Sequence, residues 1–233
     1  MSEVNHSSLT MPLLEVCANS VESALNAQNG GAERIELCSE LSVGGVTPSY
    51  GMISLAKDLL QIPVYVLIRP RGGDFVYSQL EVETMKEDIA FCAEKGCEGV
   101  VLGALHRDRS INTDITYQLM EKAGFMDVTF HRAFDQVPNH FEALDTLRDL
   151  GVQRILTSGG AQSALDGIDR LGELVEEAED EVIIMPGGGI RPTNLKQLLE
   201  IGASEYHSSC LLPNELITSK VVVEEMKQIL KTG

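Results

Sequence analysis

From Pro12 onward the chain alternates between two hydrophobic rhythms. Short runs rich in aliphatic and β-branched residues, at 13–17, 34–38, 64–69, 99–103, 128–132, 154–158, 182–186 and 205–209, read as eight strands. Between them lie stretches with helical spacing. Met85, Ile89 and Cys92 fall at i, i+4, i+7, as do Val222, Met226 and Ile229. Gly30-Gly31, Gly96, Gly124, Gly151 and Gly202 each end a helical pattern just before a strand. Pro192 reads as a first-turn proline, with Leu195, Leu198 and Leu199 as the buried stripe behind it.

Strict strand–helix alternation implies a parallel sheet, and eight units predict closure into one α/β TIM barrel, (β/α)8. An open dinucleotide-binding sheet would need a glycine fingerprint after the first strand, where Cys17-Ala18-Asn19-Ser20 stands instead. The 233 residues suit a single barrel, with residues 1–11 read as a flexible polar tail and 12–233 as the domain.

The net charge of −17, with much of the excess in runs such as 173–181, argues against nucleic acid as a partner and reads as a solvated helix layer. Five cysteines without a CxxC pair read as reduced thiols, and no apolar run reaches the ~20 residues that span a bilayer. The polar first ten residues lack the apolar stretch of a signal peptide. A cytoplasmic protein with no membrane association is expected, and outer barrel helices that can pair make a homo-oligomer the assembly to test.

In a barrel the chemistry gathers at the C-terminal ends of the strands. Alternation puts Glu15 and Cys17 on one face of the first strand, and Glu36 and Cys38 on one face of the second. Arg69 ends the third strand, His131 the fifth, and His207 lies on the eighth. Either Glu15, Glu36, Arg69, His131 and His207 are a polar site with acid–base capability, or they are a buried ion-pair network that fills the barrel. Gly187-Gly188-Gly189 before the Pro192 helix, with Ser208, Ser158-Gly159 and Arg71 beside Gly72-Gly73, would supply donors for a small anion such as phosphate. Every lysine falls in or beside a helix-like segment, which excludes a strand-end Schiff base, and no HxH pattern offers a divalent-metal hydrolase centre.

These runs together resemble the CutC family. The matching pieces are Leu14-Glu15-Val16-Cys17, Arg34-Ile35-Glu36-Leu37-Cys38, Gly44-Gly45-Val46-Thr47-Pro48-Ser49, and the segments 68–75, 129–135, 156–159, 185–190 and 205–209. The resemblance implies an α/β barrel and cytosolic copper handling, with Cu(I) held by Cys17 and Cys38. Thiolates suit that soft ion. Adjacent barrel strands stagger their inward residues in height, so the two thiols are expected near each other but not level. The segment after the last strand is short compared with some bacterial relatives, and Cys210 departs from the pattern. The residues leave an alternative open, an enzyme acting on a small anionic ligand, phosphorylated ones included.

Overall fold

A computed structural model describes residues 11–179 and 181–232. The first ten residues of the expected tail lie outside the described residues. Eight parallel strands form the interior: β1 Leu13–Ala18, β2 Arg34–Leu37, β3 Val64–Leu67, β4 Gly99–Leu102, β5 Asp127–Phe130, β6 Arg154–Thr157, β7 Ile183–Pro186 and β8 Glu205–Ser208. The ladder runs β7-β6-β5-β4-β3-β2-β1-β8. β7 then packs beside β8 to close the ring. The fold is a (β/α)8 barrel.

Eight helices surround it: α1 Val21–Gly30, α2 Tyr50–Leu59, α3 Gln79–Glu94, α4 Thr113–Ala123, α5 His140–Leu150, α6 Ile168–Ala178, α7 Pro192–Leu198 and α8 Lys220–Thr232. Local chemistry sets their ends. Ser20 Oγ accepts from the Ser23 N–H to start α1, and Ser78 with Glu81 forms a reciprocal capping box on α3. Gly31 and Gly151 close α1 and α5 at φ 96° and 82°, a left-handed backbone that L side chains disfavour. The stripe Met85, Ile89 and Cys92 is fully buried against the sheet, as its spacing predicts. So are Leu195 and Leu198 of α7, whereas Leu199 is only partly buried.

Six of the eight strands end earlier than the hydrophobic runs suggest, whereas β1 runs one residue further and β7 ends at Pro186 as expected. Arg69, Gly103, His131, Ser158 and Ser209 all lie past the last ladder residue of their strand. At these positions backbone and side chains turn to local partners. His131, for example, caps a 3₁₀ turn over Arg132–Gln136 by accepting the Ala133 N–H on Nδ1 (3.2 Å).

The bottom of the barrel interior is charged. Arg34 bridges Glu15 (2.5 Å) and Glu205, Arg154 reaches Glu205 (2.8 Å), and Tyr65 donates to Asp127 (2.5 Å). The Arg34 and Arg154 guanidiniums lie 4.8 and 5.3 Å from the Tyr65 ring centroid. Buried charges persist only when paired. This layer is therefore a closed ionic plug, and it forms the underside of the functional site.

Candidate functional site

β1, β2 and β8 set the floor of the site. The ladder places Cys17 opposite Glu36, and Glu15 opposite both Arg34 and His207. Cys38 stands one step above Glu36, yet its sulfur comes within 3.5 Å of the Cys17 sulfur. The expected stagger is real, and the side chains close it. Cys17 also lies 3.6 Å from Glu36 Oε1. Two donor groups converge: Cys17, Glu36 and Cys38 in one, Glu15, Glu36 and His207 in the other, each with ligand atoms within 4.8 Å.

The electrostatics of the floor separate three adjacent groups. Glu15 is fully buried; burial alone would favour its neutral form, but Arg34 and His207 outweigh it and hold its pKa down to about 2. Burial likewise opposes a charged His207, yet Glu36 and Glu15 raise its pKa, and its Nδ1 sits 2.7 Å from Glu15 Oε1. Glu36 is shifted the other way, upward, by burial and by the Glu15 charge; its Oε2 has no hydrogen-bond partner among the described residues. The Cys17 thiol is pushed well above its usual range by its contact with Cys38, by burial and by Glu36.

Above this floor opens a cavity of about 420 Å³, within the size range of small-molecule sites. Cys17, Glu36 and His207 form its base; Arg69, Phe75 and His131 form one wall. Gly188, Gly189, Arg191, Ser208 and Ser209 line the cavity as well, as does Arg132, whose Nη1 lies beside Gly188. His131 is 5% exposed, and its pKa falls to about 3 through burial and the nearby Arg69 charge. It is a neutral imidazole.

The residues singled out from sequence fall into two sets. Glu36, Arg69, His131, His207, Ser208 and Cys17 meet on the cavity, together with Gly188 and Gly189. Glu15 lies beneath it in the ionic plug, with one carboxylate oxygen on Arg34 and the other on His207. Arg69 reaches the cavity but is largely committed to main chain, donating to the carbonyls of Val43, Gly45 (both 2.9 Å) and Gly73 (2.8 Å). Arg71 lies outside, its guanidinium held by Glu81, Asp74 and the Val76 carbonyl. Ser158 supports the site from behind: it contacts Arg132 Nη2 (2.8 Å) and Asp135, while Gly159 packs against the Gly167 carbonyl.

The glycine run after β7 differs in detail from a phosphate cradle. The Gly187 amide donates to the Thr157 carbonyl (2.8 Å), and α7 spans only seven residues. Asn194 closes its N-terminus, accepting from the Arg191 N–H (2.8 Å) and donating to the Gly189 carbonyl (2.9 Å). Sequence reasoning assigned no role to Arg132 and Arg191. The signal was present, because Arg132 directly follows His131 and Arg191 stands two residues after the glycine run, both already marked as site-forming. The plug partners Arg34, Arg154 and Glu205 were also missed, since their pairing depends on strand register.

Among the described residues, no helix is long and apolar enough to cross a membrane. Comparison with known proteins agrees with this architecture. The family model described as CutC family matches residues 12–211. The human copper homeostasis protein cutC homolog is 52% identical over 198 residues, covering 84% of this chain and 72% of that protein. A family protein CutC from Xanthomonas axonopodis pv. citri is 48% identical over 197 residues, covering 84% and 82%. The solved structure of CutC from Streptococcus agalactiae superposes with a TM-score of 0.82 at 36% identity, covering 85% of this chain and 99% of that one. With a family match across most of its length, a relative 52% identical over 84% of the chain and a shared barrel, the chain belongs to the CutC family.

Proposed function

We propose that this protein handles copper in the cytoplasm by binding Cu(I) through Cys17 and Cys38. The observation that carries the reading is the pair of sulfurs 3.5 Å apart, Cys17 on the cavity floor and Cys38 fully buried beside it. Thiolates are the ligands a soft monovalent ion prefers. At a metal–thiolate bond length of roughly 2.3 Å, taking zinc as the yardstick, sulfurs at that separation subtend only about 100° at the ion. That bent arrangement calls for a third donor, and Glu36, 3.6 Å from the Cys17 sulfur, stands where one is needed. The name of the human relative, a copper homeostasis protein cutC homolog, fits the same role.

Anaerobic titration under reducing conditions tests it. The wild type should take up one Cu(I) per chain. Replacing both thiols, Cys17→Ser with Cys38→Ser, should abolish tight binding, because a hydroxyl is a poor ligand for a soft ion. Changing Cys92 and Cys97 to Ser should leave binding intact, since neither belongs to the Cys17–Glu36–Cys38 donor group. Equal uptake by the Cys17/Cys38 double variant would overturn the assignment.

A second reading is favoured by a specific observation. Arg69 Nε and His131 Nε2 are buried on one cavity without hydrogen-bond partners among the described residues. Two thiols and a metal do not account for them. An enzyme acting on a small anionic substrate would.

A further inference from the structure

The upper half of the cavity has a chemistry that copper does not use. Three of its features are independent of the cysteines. The first is the tautomer of His131. Its Nδ1 accepts the Ala133 N–H (3.2 Å), so in the neutral ring the proton sits on Nε2. That Nε2–H has no partner among the described residues, although the side chain is 95% buried and lines the cavity. A buried donor left unmatched in a site of this kind is a donor waiting for a ligand acceptor.

The second feature is Arg132. Asp135 takes its Nε (2.7 Å) and Ser158 takes its Nη2 (2.8 Å), which fix the guanidinium plane. Asp135 is itself held by the Thr157 hydroxyl (2.5 Å) and by the Ser158 and Gly160 amides (2.9 and 3.1 Å). The remaining Nη1 carries no hydrogen bond to a described residue. A Cβ on Gly188 would lie 3.2 Å from that nitrogen, and the backbone there has φ +102°, so glycine keeps the space beside it clear.

The third is Arg191, which lines the same cavity. Its Nη1 lies 2.7 Å from the Ile190 carbonyl and 3.3 Å from Ser208 Oγ, and its Nη2 lies 3.3 Å from Ser209 Oγ. A chain of net charge −17 thus places two oriented guanidiniums on the same small cavity. Fixed guanidiniums match carboxylate and phosphate oxygens.

We propose that Arg132 and Arg191 bind the anionic group of a small organic ligand, and that His131 Nε2–H donates to a carbonyl oxygen of the same molecule. This deepens the enzymatic reading by naming the substrate class: a carbonyl compound bearing a carboxylate or a phosphate. A neutral imidazole polarises such an oxygen without giving up its proton. Its neutrality follows from burial and from Arg69 nearby, against the weaker pull of Asp135. The inference does not depend on copper binding.

The test uses the full chain carrying Cys17→Ser and Cys38→Ser, so that no metal chemistry intrudes. Inorganic phosphate, pyruvate and 2-phosphoglycolate are titrated while ¹⁵N-edited NMR follows the His131 ring. At least one should bind at millimolar concentration. Pyruvate should shift the Nε2–H resonance. Binding by pyruvate and not phosphate assigns the anionic group to a carboxylate; the reverse assigns it to a phosphate. Arg132→Gln and Arg191→Gln should each weaken binding roughly tenfold or more, the loss expected for a charge-assisted hydrogen bond. His131→Gln should weaken pyruvate and leave phosphate unchanged. Binding that survives both arginine changes would overturn the subsite while leaving the enzymatic reading open. No binding of any of the three anions by the folded protein would overturn both.

Discussion

At the scale of single residues, Glu15 and Glu36 show how one side-chain type takes two roles within a few ångströms. Glu15 has both oxygens occupied by cationic partners, and removing its charge leaves Arg34 and His207 uncompensated in the interior. Glu15→Gln should therefore cost about 3–5 kcal/mol in a urea melt. Glu36 has an oxygen unpartnered among the described residues and a pKa pushed upward by burial and by Glu15. Glu36→Gln removes a charge that the fold resists, and should leave stability unchanged or raise it. Equal losses from the two substitutions would contradict the division between plug and cavity floor.

Residue identity also marks the limit of what the sequence reveals. Alternation along a strand is enough to put Glu15 with Cys17 and Glu36 with Cys38. It does not give register. That Cys17 faces Glu36 across the ladder, and that the two sulfurs meet despite the stagger, depends on how β1 and β2 align. Arg34 and Arg154 open strands that read as plain hydrophobic runs. Their role follows only once Glu205, far along the chain, arrives beside them.

At the scale of elements, the eight strands and their order were legible because strand-like runs alternate with 3.6-period helices, most of which stop at a glycine. Strand ends were less legible. Hydrophobicity continues past the ladder where a residue such as Arg69 turns to hold a loop. Arg69 joins the β2–α2 and β3–α3 connections by donating to three main-chain carbonyls, on Val43, Gly45 and Gly73. A lysine has a single ammonium and cannot reproduce that fork. Arg69→Lys should speed amide exchange in residues 39–47 and 70–74 while the barrel strands keep their protection. Hydrogen–deuterium exchange read by mass spectrometry checks this. Unchanged protection of both loops would show that Arg69 does not hold them.

At the scale of the whole molecule, the buried charges tie stability to pH. His131 has a folded pKa near 3 against an ordinary value of 6.5, so between those values the unfolded chain binds a proton that the folded chain refuses. Stability contributed by the neutral ring is complete above pH 6.5 and is lost as pH falls toward 3, by up to about 1.4 kcal/mol per pH unit. Glu15 acts lower, with its contribution present above pH 4.5 and lost as pH falls toward 2. The difference in unfolding free energy between wild type and His131→Asn should therefore shrink steadily from pH 6.5 to 4.5. A difference constant over that window would mean the imidazole titrates normally in the folded protein.

The central claim concerns what the barrel mouth holds, and copper K-edge X-ray absorption of the Cu(I)-loaded protein tests it most directly. The account predicts a first shell with two sulfur scatterers and one lighter oxygen or nitrogen donor, with the sulfur signal lost in the Cys17→Ser/Cys38→Ser variant. A shell of oxygen and nitrogen alone, or a sulfur shell that survives the double substitution, would contradict it.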